Sequence, residues 1–157
     1  MQTARRWISH TATMDETIIE PILAENYSHQ VAPASIQEVS PQGVGPFDKQ
    51  GFIGMVTGMK AIIKAYPFKI NEIIESESSN AVVAYVTGEA TFQDHIKDDS
   101  IPADEWKHTG NYIFWFYMDE SSEKIVRTIE FLDSKATADK MMAFVHKASV
   151  NLAKRET

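Results

Sequence analysis

Apolar and polar positions along the chain follow two different periods. Residues 106–133 read WKHTGNYIFWFYMDESSEKIVRTIEFLD, in which two apolar runs, 112–118 and 125–132, flank a polar turn at 119–124. That pattern predicts a long β-hairpin buried on both faces. Upstream, 68–77 and 81–93 read as two strands joined at Ser78-Ser79-Asn80, a turn sequence. Elsewhere the spacing is helical. One short helix is expected at 3–12 and a second at 15–26, capped by Asp15, with Ile18, Ile19, Ile22 and Leu23 as its buried stripe and Pro21 interrupting it. A third, capped by Asp48, carries Phe52, Met55, Val56, Met59, Ile62, Ile63 and Tyr66 at helical spacing through Ala65, and Pro67 stops it. Gly51, Gly54 and Gly58 on that helix read as close packing against a sheet. The last helix starts at Asp133 or Ser134 and runs to about Ala153, with Met141, Val145, Ala148 and Leu152 on one face.

Two stretches follow neither period. Residues 27–46 are rich in Pro, Ser and Gly and read as a loop-dominated rim, with a short β-like piece around 30–39. Residues 94–105 form an acidic, proline-containing loop longer than a hairpin needs, which makes it a lid or rim. Helices first, then four strands in antiparallel hairpins, then a helix: this order predicts an α+β fold in which a curved antiparallel sheet wraps a helix.

Composition narrows what such a fold does. At 157 residues the chain suits one compact domain, 1–157. A net charge of −7 with scattered basic residues argues against nucleic acid and anionic membrane as partners. The absence of cysteine removes disulfides, thiolate metal sites and cysteine nucleophiles together. No pair of histidines has metal-ligand spacing, so a metal centre would rest on carboxylates alone, and neither metal nor cofactor is expected. The first residues carry no signal-like apolar run and no segment approaches the ~20 residues that span a bilayer. A cytoplasmic protein is expected.

Within the hairpin, Glu130 stands between Ile129 and Phe131, where an unpaired charge would cost several kcal/mol. It is therefore either functional or the partner of Arg127 or a buried tyrosine. Strand alternation puts Val126, Thr128, Glu130 and Leu132 on one side, and His108, Tyr112, Phe114 and Phe116 on one side of the other strand. Alternation alone leaves open which sides face a cavity. If the two sets face the same way, a carboxyl, an imidazole and a phenol converge in an aromatic pocket. Burial raises the pKa of a carboxyl toward neutrality, where it both takes and returns protons. His29 reads as a surface or capping histidine, Asp133 as an N-cap and Glu89 as solvent-facing. His10, His95 and His146 read as exposed and inert.

The final hairpin, Tyr112-x-Phe-Trp-x-Tyr with Glu123-Lys124-Ile125-Val126-Arg127 and Ile129-Glu130-Phe131-Leu132-Asp133-Ser134, resembles the last two strands of the nuclear transport factor 2-like superfamily. It is closest to the SnoaL-like branch, which includes small fungal enzymes of polyketide and meroterpenoid pathways. Ile22-Leu23-Ala24, His29, Pro33-Ala34-Ser35 and the helix from Phe52 to Ala65 follow that branch's order. The resemblance implies a cone-shaped α+β barrel, a homodimer through the sheet, and an apolar pocket working without a cofactor. Scytalone dehydratase, ketosteroid isomerase, limonene epoxide hydrolase and polyketide cyclases are members. Glu130 matches the pocket carboxylate of the last strand, Tyr112 and His108 match pocket-facing polar positions, and His29 matches a rim histidine. Val86 and Gly88 replace the arginine–aspartate pair of the epoxide hydrolase, so the resemblance does not extend to that activity. The expectation is an isomerase or cyclase of secondary metabolism acting on an apolar polycyclic substrate. Glu130, Tyr112, His108 and His29 would be catalytic, with Phe114, Phe116, Tyr27, Met55, Met59 and Thr128 lining the pocket. A dehydratase of the scytalone type and a non-catalytic, ligand-binding or dimerising scaffold are the alternatives.

Overall fold

A computed structural model describes residues 1–40 and 44–155; positions 41–43 of the expected rim lie outside the described residues. The chain starts with helix α1 (Gln2–His10) and a short helix α2 (Glu16–Ile19), whose N-cap Asp15 accepts from Thr17 N at 3.0 Å. Strand β1 (Leu23–Ala32) follows, then β2 (Phe47–Asp48), helix α3 (Lys49–Met59) and β3 (Ile63–Ala65). Two hairpins come next, β4 (Phe68–Ser76) with β5 (Ala81–Phe92) and β6 (Lys107–Met118) with β7 (Ile125–Leu132). One turn of helix α4 (Ser134–Ala136), a π-helical turn (Thr137–Met141) and helix α5 (Met142–Arg155) complete the order. The strands make one curved, unclosed seven-stranded sheet in the order β2-β1-β7-β6-β5-β3, with β4 also paired to β5. This is the expected α+β architecture.

Several boundaries differ from the sequence reading. The helix expected over 15–26 ends at Ile19. Pro21 sits in a single 3₁₀ turn, and Leu23 onward is extended. The apolar stripe Ile18–Leu23 was shared between two elements, and proline placed the break between them. The sheet is also not wholly antiparallel, because β1 runs parallel to β7, with His29 opposite Thr128 and Val31 opposite Glu130. The third helix stops at Met59 rather than Ala65, since residues 63–65 pair with β5. Of its glycines only Gly51 is closely packed, where a Cβ would stand 3.2 Å from Asp48 Oδ1 and 3.7 Å from Phe47 Cβ; a Cβ on Gly54 or Gly58 would meet nothing within 4 Å. Gly45 is the conformationally demanding one, with φ +82° and the His29 carbonyl 2.6 Å from where a Cβ would stand. The loop 94–105 is bound to the back of α5, with Asn151 Nδ2 donating to the Ile96 carbonyl at 2.9 Å and to Asp98 Oδ2 at 2.7 Å. Among the described residues no helix is long and apolar enough to cross a membrane.

Packing of α1 explains the largest correction among the histidines. His10, expected at the surface, is 1% exposed. α1 lays Trp7 and Ile8 on the inner face of the sheet, and His10 follows Trp7 by three residues, on the same side of the helix. Its Nδ1 donates to the Trp7 carbonyl, and its ring meets the indole edge-on at 4.9 Å. Burial lowers the imidazole from 6.5 to about 4. Because the folded value lies below the unfolded one, the stability linked to His10 is complete above pH 6.5. It is lost as pH falls through about 4. The difference corresponds to ~3 kcal/mol. A His10→Asn variant is expected to show a smaller loss of denaturant resistance between pH 7 and pH 4.5 than the parent chain, measured by urea unfolding at both values.

Candidate active site

The inner face of the sheet is divided into a filled half and an open half. On β6, His108, Gly110, Tyr112, Phe114, Phe116 and Met118 alternate inward, and the register with β7 sets Tyr112 opposite Leu132, Phe114 opposite Glu130 and Phe116 opposite Thr128. The two sets therefore converge on one side. Trp7 occupies the half over Phe114 and Phe116, at 4.8 and 5.2 Å between ring centroids. The half over Tyr112 and Leu132 stays open as a cavity of about 470 Å³. Val31 and Ile36, Met55 and Met59 of α3, Tyr66, and the α5 side, notably Met141, Met142, Val145 and Leu152, supply the rest of its wall. Four of these residues are methionines, whose unbranched, polarizable side chains adapt to irregular apolar guests.

Besides the hydroxyls of Ser40, Thr137 and Ser149, two polar groups line this largely apolar space. The first is Glu130, whose side chain is 19% exposed and whose Oε2 lies 3.0 Å from His29 Nε2. His29 itself is fully buried and stacks on Phe52 at 4.4 Å. Its Nδ1 lies 3.1 Å from the Tyr27 hydroxyl, which donates to Thr128 Oγ1 at 2.9 Å. Arg127 plays no part, since it lies on the outer face over the Tyr117 ring. The second group is a pair of phenols, Tyr66 and Tyr112, hydrogen-bonded to each other. Burial raises both above the ordinary tyrosine value, so both keep their protons at neutral pH. Two hydroxyls share two protons, and one is spent within the pair. The other O–H is left to donate. Tyr112 and Glu130 are diagonal neighbours across the β6–β7 pair, roughly 7–8 Å apart along the backbone.

Of the residues singled out in the sequence, Glu130, Tyr112, Met55 and Met59 line the cavity. His29, Tyr27 and Thr128 form the chain behind Glu130, and Phe114 and Phe116 lie under Trp7. His108 is fully buried just past Tyr112, and among the described residues neither ring nitrogen has a hydrogen-bond partner. Burial, then the Lys140 ammonium, holds it below the usual histidine value. Its Nε2 and the Tyr112 hydroxyl flank Gly110, at 3.0 and 2.9 Å from where a Cβ would stand. Asp133 is the N-cap it was read as, accepting from Ala136 N at 3.0 Å. Among the described residues no cluster of three or more His, Asp or Glu could hold a metal ion.

Sequence reasoning missed Tyr66, which it placed on a helix face. The residue before a proline is disfavoured in a helix, and Tyr66-Pro67 carries that signal. Met142 left no such trace, since it stands at the edge of the helix face that Met141, Val145, Ala148 and Leu152 define.

A curved, open sheet closed over by helices, with an acid in the wall of an apolar cavity, is the nuclear transport factor 2-like fold, and the chain adopts it. Solved structures agree. BvnE, a pinacolase from Penicillium brevicompactum, matches with a TM-score of 0.73 at 16% identity over 95% of this chain and 93% of that one. PrhC from Penicillium brasilianum NBRC 6234 matches at 0.73 and 13% identity, over 98% and 93%. IdmH from Streptomyces antibioticus, named as a polyketide cyclase, matches at 0.66 and 14% identity, over 92% and 96%. No protein-family model matches the sequence, and no curated protein matches it.

The notch at Gly110 exists only because the residue lacks a side chain. Gly110→Ala is expected to force Tyr112 and His108 apart at a cost of ~1–3 kcal/mol, the usual range for overpacking, read as a lower midpoint of denaturant unfolding.

Proposed function

We propose that the protein is an isomerase or cyclase that moves protons within an apolar polycyclic intermediate of a polyketide or meroterpenoid pathway, by acid–base catalysis without a cofactor. The observation that carries this reading is Glu130, set in the wall of an otherwise apolar cavity and hydrogen-bonded to a buried histidine. Glu130 transfers the proton, His29 supports it from behind, and the free O–H of the Tyr66–Tyr112 pair donates to a carbonyl or hydroxyl of the guest. A pinacolase and a protein named as a polyketide cyclase share the fold, which suits rearrangement or ring closure in such a cavity. On this reading the enzyme works in the cytoplasm.

A positioned proton-transfer group typically contributes ~10²–10⁴-fold to rate. Glu130→Gln keeps the shape of the side chain, so it should lower turnover by that factor while the unfolding midpoint changes little. The assay offers apolar polyketide and meroterpenoid intermediates and follows products by chromatography and mass. A product of unchanged mass supports isomerisation or cyclisation, and loss of one water supports a dehydratase. Guest recovered unaltered from both proteins supports a binding scaffold.

The outer face of the sheet bears on the partner. Ile74, Tyr85, Ile113, Trp115 and Phe131 are 41–56% exposed on four adjacent strands. Such a continuous apolar patch marks an interface, and we assign it to a second copy of the chain. Sedimentation is expected to give a two-chain mass for the parent and a one-chain mass for Trp115→Lys.

A further inference from the structure

The chain of hydrogen bonds behind Glu130 permits a count of protons. The Tyr27 hydroxyl has one proton and donates it to Thr128 Oγ1 at 2.9 Å. Burial raises that phenol above its ordinary value, so it stays a phenol rather than a phenolate. With its proton committed, its oxygen can only accept at the 3.1 Å contact with His29 Nδ1. Nδ1 therefore carries hydrogen. A neutral imidazole has a single N–H, which leaves Nε2 as a bare lone pair 3.0 Å from Glu130 Oε2. Two lone pairs do not rest at that distance in a buried site, so a further proton lies between them.

We propose that Thr128 and Tyr27 are positioning residues that fix the Nδ1–H form of His29 and thereby keep the His29–Glu130 pair loaded with a proton, so that the pair acts first as an acid toward its guest. The pair is then either imidazolium with carboxylate or imidazole with carboxylic acid, and the proton count is the same. The other titratable groups around it leave that count unchanged. His10 on α1 is held near 4 by burial and is neutral at pH 7. Tyr66 and Tyr112, on the same cavity, keep their protons.

The consequence concerns substrate class and rests on the acid–base reading above. An acid-first pair that isomerises its guest needs one presenting a basic oxygen that stays on the skeleton, such as a carbonyl or epoxide, at Glu130. The pair gives its proton to that oxygen, a carbon skeleton made cationic by the transfer rearranges, and the carboxylate then takes a proton back from carbon. Protons balance, the guest is isomerised and the pair returns loaded. A base-first enzyme would instead start from an anionic carboxylate and an acidic C–H.

The test needs no substrate. In protein labelled with ¹⁵N-histidine at pH 7, long-range proton–nitrogen correlation is expected to show His29 Nδ1 protonated, with the His29 signals assigned by their loss in His29→Gln. Thr128→Val frees the Tyr27 proton to point at Nδ1, so the Nδ1 proton should disappear in that near-isosteric variant, and Thr128→Ser should restore it. A bare Nδ1 in the parent protein overturns the loaded pair. An Nδ1 proton unaffected by Thr128→Val overturns the anchoring role. Because the readout is the resting protein, it stands or falls separately from the turnover of Glu130→Gln.

Discussion

A sheet that curves has to fill its concave side, and the contact that decides how much is filled is Trp7 of α1 against Phe114 and Phe116 of β6. The indole is 2% exposed and also stacks near Phe52 and His29, at 5.7 and 6.1 Å between centroids. Loss of a buried tryptophan typically costs ~3–5 kcal/mol, but here packing does more than stabilise. Trp7 occupies one half of the concavity, so the remaining space begins where its ring ends. Phe52, held against both Trp7 and His29, fixes the imidazole plane from which Glu130 is supported. Core and site are thus one aromatic cluster with an edge, and the cavity is what lies past that edge.

Local elements were legible because their signals are local. The β6–β7 hairpin and the β4–β5 hairpin stand close to where alternation and turn residues placed them, and Asp15, Asp48 and Asp133 cap helices as read. What failed was nonlocal. β1 pairs in parallel with β7, which lies about a hundred residues away, and nothing in LAENYSHQVA announces its partner. Its inner residues Tyr27, His29 and Val31 alternate correctly, yet the helix-like run before them absorbed the start of the strand. His10 failed for a related reason, since its burial depends on a sheet that α1 meets only in three dimensions. For the site, an acid between two apolar residues was the readable signal. Which aromatic rings line the cavity was not, because Phe114, Phe116 and Tyr112 share a face and are told apart only by where Trp7 lies.

The two polar groups of the cavity differ in kind. The Tyr66–Tyr112 pair has a spare donor and no charge, and its protons are held firmly by burial. Glu130 carries a carboxyl and is hydrogen-bonded to the buried His29 across 3.0 Å. Among apolar walls such hydrogen bonds are stronger than in bulk solvent. The methionine-rich wall adds an adaptable, uncharged surface between them.

The α5 side of the cavity depends on a local irregularity. In a regular α-helix Met141 and Met142 point about 100° apart, near opposite edges of one face. The π-helical turn Thr137–Met141 inserts an extra residue per turn just before α5, and π-turns of this kind are frequent at functional sites. It shifts the register so that Thr137, Met141, Met142, Val145 and Leu152 all reach the same space. Asp133 fixes the start of this segment, and the loop 94–105 grips α5 from behind through Asn151. The helix is therefore held at both ends while its inner face carries the adaptable wall. That division lets the wall yield to a guest without loosening the strands that aim Glu130.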